Sequence, residues 1–134
     1  MATFTCILVY LLTVKIIAID HIQLAMPVGE EEKARAFFIN ILGFGEKQKP
    51  AALAGRGGVW FESENVQLHI GVEKDFQPAR KAHPAFLVDD LDSLIARIQN
   101  AGYKTDTDQP PLDGYKRAHI FDPFGNRIEL MEKI

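Results

Sequence analysis

Four residues in this chain are of types that bind metal ions and lie in comparable places: His21, His69, His83 and Glu129. Each sits in or beside a short apolar stretch with strand character, namely "IDHIQLAMP", "NVQLHIGVE", "KAHPAFLVD" and "NRIELMEKI". Side chains alternate between the faces of a strand. His21 shares a parity with Gln23 and Ala25, against Ile22, Leu24 and Met26. His69 falls with Gln67 and Gly71, His83 with Ala85 and Leu87, and Glu129 with Arg127 and Met131. In every case the opposite parity is apolar and free to pack a core. A single strand histidine is usually a satisfied core or surface group. Three imidazoles and one carboxylate on consistent parity instead suit a divalent metal, with Zn, Ni, Mn and Fe all compatible with such donors. A His₂-Glu subset would serve as well and leave positions for water and substrate. A buried Glu129 would be costly unpaired, and a cation would compensate it.

Other polar residues are placed to contact a small molecule. Gln23, Gln67 and Arg127 share the candidate ligands' parity. Trp60 and Phe61 alternate, so one of the two must face the same side. Arg117, His119 and Phe121 share a face whose direction the sequence leaves open. For Arg117, anion binding and plain exposure are equal readings. For His119, a surface or structural role is the leading reading and partnership with Glu129 the other. The segment Asp106–Arg117, "DTDQPPLDGYKR", is irregular by virtue of its prolines and glycine, and reads as a connection or a lid.

Two amphipathic helices and a set of strands must hold these groups. Ala34, Phe37, Phe38, Ile41 and Leu42 recur at helical spacing after an acidic start, with Gly43 as the stop. Leu91, Leu94, Ile95 and Ile98 repeat the pattern, with Asp90 as N-cap and Gly102 as stop. Strands are expected over Lys15–Met26, Phe44–Lys47, Gly58–Glu62, Val66–Gly71, Ala82–Val88, Tyr103–Thr105, Tyr115–Phe121 and Arg127–Glu132. The turn sequence "DPFGN" links the last two. The order is strand, helix, three strands, and then the same again. Sixty-two residues separate His21 from His83, and sixty separate His69 from Glu129, so a duplication is expected that pairs these positions.

The totals narrow the class. At 134 residues the chain suffices for one domain with a core. A net charge of −3 gives no basic face for nucleic acid. The single cysteine, Cys6, forms no intrachain disulfide and fits a cytoplasmic location. The apolar run from Phe4 to Val14 is too short for a membrane-spanning helix. Residues 1–13 have no counterpart in the second half and are expected to form a β-rich arm, a signal peptide being the weaker alternative. Residues 14–134 are expected to form one domain, with modules over about 14–72 and 82–134.

The segments "DHIQLAMP", "ARAFFINILGF", "GGVWFE", "VQLHIG", "HPAFLVDDLDSLIARIQNAG" and "HIFDPFGNRIELME" together resemble the vicinal oxygen chelate superfamily, also called the glyoxalase/bleomycin-resistance/dioxygenase family. The resemblance implies an α+β fold. Two βαβββ modules would form a curled, cup-shaped mixed sheet with helices outside. It implies a metal at the cup's centre, held by His21, His69, His83 and Glu129, of which His69 departs most from the family's pattern. It also implies a homodimer whose cups each draw one module from each chain.

The function expected first is that of a metal-dependent lyase, isomerase or transferase of the glyoxalase/fosfomycin-resistance type. Its substrate would be a small molecule with vicinal oxygens, and Glu129 would double as a base. The alternative is a metal-free sequestering protein of the bleomycin-resistance type. An Fe(II) extradiol dioxygenase is third.

Overall fold

A computed structural model of the chain describes residues 13–134. The expected arm at residues 1–13 lies outside the described residues apart from Thr13. Two four-stranded mixed sheets carry the fold, and they do not close into a barrel. The first contains β1 (Ile22–Met26), β2 (Gly45–Lys47), β3 (Val59–Ser63) and β4 (Val66–Val72), in the order β1-β4-β3-β2. The second contains β5 (Ala85–Leu87), β6 (Thr105–Asp106), β7 (Tyr115–Phe121) and β8 (Arg127–Lys133), in the order β5-β8-β7-β6. In both, the first and last strands pair parallel and the remaining pairs are antiparallel. The expected duplication is therefore visible in topology. Helix α1 (Glu31–Phe38) follows β1 and helix α2 (Leu91–Asn100) follows β5.

The helices form where the apolar spacing places them. Ala34, Phe37 and Phe38 of α1 are fully buried, as is Ile98 of α2. The Asp90 carboxylate accepts from the Ser93 backbone N–H at 3.1 Å, capping α2. At the other end Gly102 turns left-handed (φ +87°), and Tyr103 N and Gly102 N donate back to Ile98 O and Gln99 O, a Schellman closure. Helix α1 is shorter than its apolar pattern, ending at Phe38. Ile41 and Leu42 follow in a turn that Gly43 (φ +81°) closes.

The core is continuous across the halves. Phe38 stacks on Phe61 with centroids 5.3 Å apart. Phe44 meets Phe86 at 6.0 Å, and Phe37 meets Tyr103 at 4.8 Å. The "DPFGN" turn adds a polar clasp. Asp122 accepts from the backbone N–H groups of Phe124 and Asn126, and the Asn126 amide donates to Ala25 O of β1 at 2.7 Å.

Two expected strands need correction, and one element lies outside the expected set. The first strand begins at Ile22 rather than Lys15. Ile22 pairs with Leu68 in parallel register and β4 starts at Val66, so residues 13–19 have no partner strand among the described residues. Val14, Ile16, Ile17 and Ile19 are exposed as a result. The fifth strand is confined to Ala85–Leu87, just after Pro84, which has no N–H to give a ladder. A 3₁₀ turn over Ala51–Arg56, which the strand pattern did not suggest, joins β2 to β3. No helix among the described residues is long and apolar enough to cross a membrane.

Candidate metal centre and adjoining cleft

The shared topology sets two equivalent rows of residues. Across the first sheet, Gln23 of β1 lies opposite His69 of β4, and His69 lies opposite Trp60 of β3. Across the second, Ala85 of β5 lies opposite Glu129 of β8, and Glu129 lies opposite His119 of β7. His21 and His83 stand just before β1 and β5. Thus His69 and Glu129 occupy matching positions, and so do Trp60 and His119.

The second row gathers metal donors. His83, His119 and Glu129 each offer one donor atom, and these atoms lie within 4.8 Å of one another. Two ligands of one ion, each about 2.1 Å from it, are at most about 4.2 Å apart, so side-chain adjustments of well under 1 Å suffice. Glu129 and His119 are 9% and 8% exposed, which makes their polar atoms expensive to leave unpaired. His83 Nδ1 lies 2.6 Å from Lys81 O and must donate to it. In the neutral ring that leaves Nε2 a bare lone pair, 3.4 Å from Glu129 Oε2. Either a proton on Nε2, donating to Glu129, or a cation held between the two satisfies that contact. His119 Nε2 is buried with no hydrogen-bond partner among the described residues. The donor set therefore fits a divalent metal, with two imidazoles and a carboxylate leaving further positions open.

Arg117 organises the carboxylate. Its Nη1 donates to Glu129 Oε1 at 3.0 Å, on the oxygen other than the one facing His83. Its Nε donates to Pro110 O at 3.0 Å, which ties the loop before β7 to the site. Burial alone would raise the Glu129 carboxyl, but hydrogen bonds from Arg117 and His83 and the charge of Arg117 outweigh it and hold it below the usual range. Burial pushes the His119 imidazole down, with the charge of His83 next, so it is neutral and able to ligate.

The first row is built differently. Trp60 and His69 stack with centroids 3.9 Å apart and planes 2° from parallel. His21 lies over His69 at 4.3 Å and 18°. Imidazoles that share an ion aim in-plane lone pairs at one point. Rings stacked this way do not, so His21 and His69 of one chain do not converge on a common ion as placed, nor do they join the group around Glu129. His21 is exposed and its Nδ1 meets Asp20 Oδ1 at 2.9 Å. His69 is 8% exposed, and burial first, then the charges of His21 and Lys47, lower its imidazole.

The remaining candidates separate as follows. Trp60, not the fully buried Phe61, faces the open side. Gln23 lines a cleft with Trp60 and His69. Gln67 is engaged at the sheet surface, donating to Glu62 and accepting from Lys47. Arg127 is half-buried, and its Nε has no partner among the described residues. His119 is buried beside Glu129, which overturns the surface reading: opposite Glu129 in the register, it is drawn onto the same face. Lys49 and Arg56, at the cleft rim, were missed; the only sequence signal was a proline- and glycine-bounded turn.

Residues 18–130 match the family model described as "Glyoxalase/Bleomycin resistance protein/Dioxygenase superfamily". A solved glyoxalase family protein from Bacillus anthracis is 45% identical, with a TM-score of 0.84, over 90% of this chain and 98% of that one. The fosfomycin resistance protein FosX from Listeria monocytogenes, complexed with Mn(II) and sulfate ion, shares the fold at 20% identity and a TM-score of 0.72, over 90% of this chain and 93% of that one. TnmS3, an antibiotic binding protein from a Streptomyces species, shares it at 24% identity and a TM-score of 0.66, over 89% and 100% of the two chains. No curated protein matches.

Proposed function

Because the chain belongs to the glyoxalase/bleomycin resistance protein/dioxygenase superfamily, we propose that it is a metal-dependent enzyme of the glyoxalase/fosfomycin-resistance type acting on a small molecule with vicinal oxygens. The observation that carries this reading is the convergence of His83, His119 and Glu129. His83 and Glu129 are the ligands, and His119 is a third donor beside them. Zn, Ni, Mn and Fe all suit this donor set. The Mn(II) recorded in FosX supports a divalent ion of that size.

When bound, the metal would act as a Lewis acid toward oxygens of the substrate. The chain's own groups do the rest. The Lys81 carbonyl fixes the His83 tautomer, and Arg117 fixes the carboxylate rotamer of Glu129, as outer partners of metal ligands do elsewhere. Held below its usual range, Glu129 is ionised at neutral pH and available as ligand or base. A homodimer with shared cups would bring His21 and His69 of one copy toward His83 and Glu129 of another. That arrangement accounts for the two groups standing apart within one chain. The cysteine content and charge support a cytoplasmic protein without nucleic-acid partners.

Metal analysis of protein purified without chelators tests the proposal. About one equivalent of divalent metal per chain is expected, lost in Glu129→Ala and His83→Ala while circular dichroism stays native. Metal-free wild type, or full retention in Glu129→Ala, would overturn it. The open Trp60–His69 stack favours one second reading, sequestration of a flat ligand without metal, which predicts the metal-free result.

A further inference from the structure

The cleft beside the first row has no metal-donor cluster of its own, yet it is built from residues that recognise charge. It measures about 230 Å³ and is lined by Gln23, Lys49, Arg56, Trp60 and His69 among others. No carboxylate lines it. Glu31, beside Gly57, has its Oε1 engaged by Gly58 N at 3.2 Å. In a chain of net charge −3, an acid-free cleft with two cations is a local reversal of sign.

The loop between β2 and β3 creates that reversal. Lys49 Nζ donates to Gly57 O, which closes the 3₁₀ turn and holds the ammonium at the rim. An ammonium has three donors, so others are left for a ligand. Gly57 and Gly58 are both left-handed, at φ +75° and +86°. A side chain at Gly58 would meet Ile70 O at 2.4 Å, so this loop reaches β4 only because no Cβ intervenes. Arg56 follows from that close approach. It makes no hydrogen bond or ion pair among the described residues. His69 is more than nine-tenths buried, accepts and donates no hydrogen bond among the described residues, and lines the same cleft. Its ring faces are covered by Trp60 and His21, so it offers the cleft a ring edge with one donor and one acceptor.

We propose that this cleft binds an oxyanion group of the substrate, a phosphonate, phosphate or carboxylate, between Lys49 and Arg56, with His69 as the buried hydrogen-bonding wall and Trp60 beneath it. His69 then serves the substrate rather than the metal. The inference rests on the reading of the chain as acting on a small molecule, but not on the metal. The cleft suits a small group and is open to solvent, so a larger ligand can extend outside it.

Trp60 is the sole tryptophan, so its fluorescence reports on this cleft alone. The full chain, with chelator present, is titrated with methylphosphonate, acetate or sodium chloride at constant ionic strength. A saturable change with methylphosphonate or acetate but not chloride is expected, and the more potent probe identifies the anion. Lys49→Ala and Arg56→Ala should each weaken it by about tenfold, as loss of one charge-assisted contact does. Arg56→Lys should restore part. His83→Ala should bind the probe as wild type does. A linear response, or wild-type affinity in both alanine variants, overturns the proposal. Probe binding without stoichiometric metal defeats the metal reading alone, and metal without probe binding defeats this one alone.

Discussion

Glu129 and His69 hold equivalent places, yet their surroundings assign them opposite tasks. Glu129 has a guanidinium on one oxygen and an imidazole facing the other, so its charge is kept. His69 is sandwiched between rings and desolvated, so its charge is refused. That refusal has a sign in pH. The unfolded imidazole takes up a proton near its ordinary value of 6.5, and the folded one only at lower pH. Stability is therefore full above pH 6.5 and is lost as pH falls from there through the folded value. His119, also lowered by burial, acts in the same direction. Thermal unfolding followed across this range should show a midpoint that drops on acidification, and His69→Phe, which keeps a stacking ring, should flatten part of the drop. An unchanged slope in that variant would mean that the ring is protonated in the fold. None of this was legible in the sequence. Parity counting placed His69 on the polar side, but which ring lies over which depends on cross-strand register.

Elements were more readable than contacts. Helical spacing located both helices, and the Asp90 and Gly102 boundaries of α2 are bonded as their residue types require. The strand at Lys15–Asp20 failed because apolar residues promise a strand only if a partner runs alongside, and β4 starts too late. The 3₁₀ turn carrying Arg56 failed for the converse reason: its pattern is short and nearly apolar, and its position is fixed by the glycines after it. Gly58 and Gly102 separate the two demands on such glycines. Both are left-handed, but a Cβ at Gly102 meets nothing within 4 Å, whereas at Gly58 it strikes Ile70 O. Chemical denaturation should give Gly102→Ala a cost of about 1–2 kcal/mol, the conformational penalty alone. Gly58→Ala should exceed it by at least about 1–3 kcal/mol, the cost of forcing packed groups apart. Equal costs would mean that β3 and β4 part easily at that end.

For the whole molecule, the duplication read from spacing reappears as matched strand order and register, and it is the most informative feature the sequence disclosed. What spacing could not disclose is how the halves are joined. The joining groups, Asn126 on Ala25 O and Phe44 on Phe86, are distant in sequence and unremarkable in type. If cups are shared between copies, two variants that each lack one side should complement. His21→Ala mixed with Glu129→Ala, after subunit exchange, should regain metal in part, whereas neither variant alone holds it fully. Sedimentation should show a dimer throughout. A monomer, or no regain on mixing, would confine each centre to one chain.

The matched rows also make the protein a natural target for transplantation. Trp60 and His69 stand where His119 and Glu129 stand in the other half. Writing His at 60 and Glu at 69 would copy an acid–imidazole pair onto backbone sites the scaffold already provides. Each half can thus be rewritten while its sibling keeps its original trade.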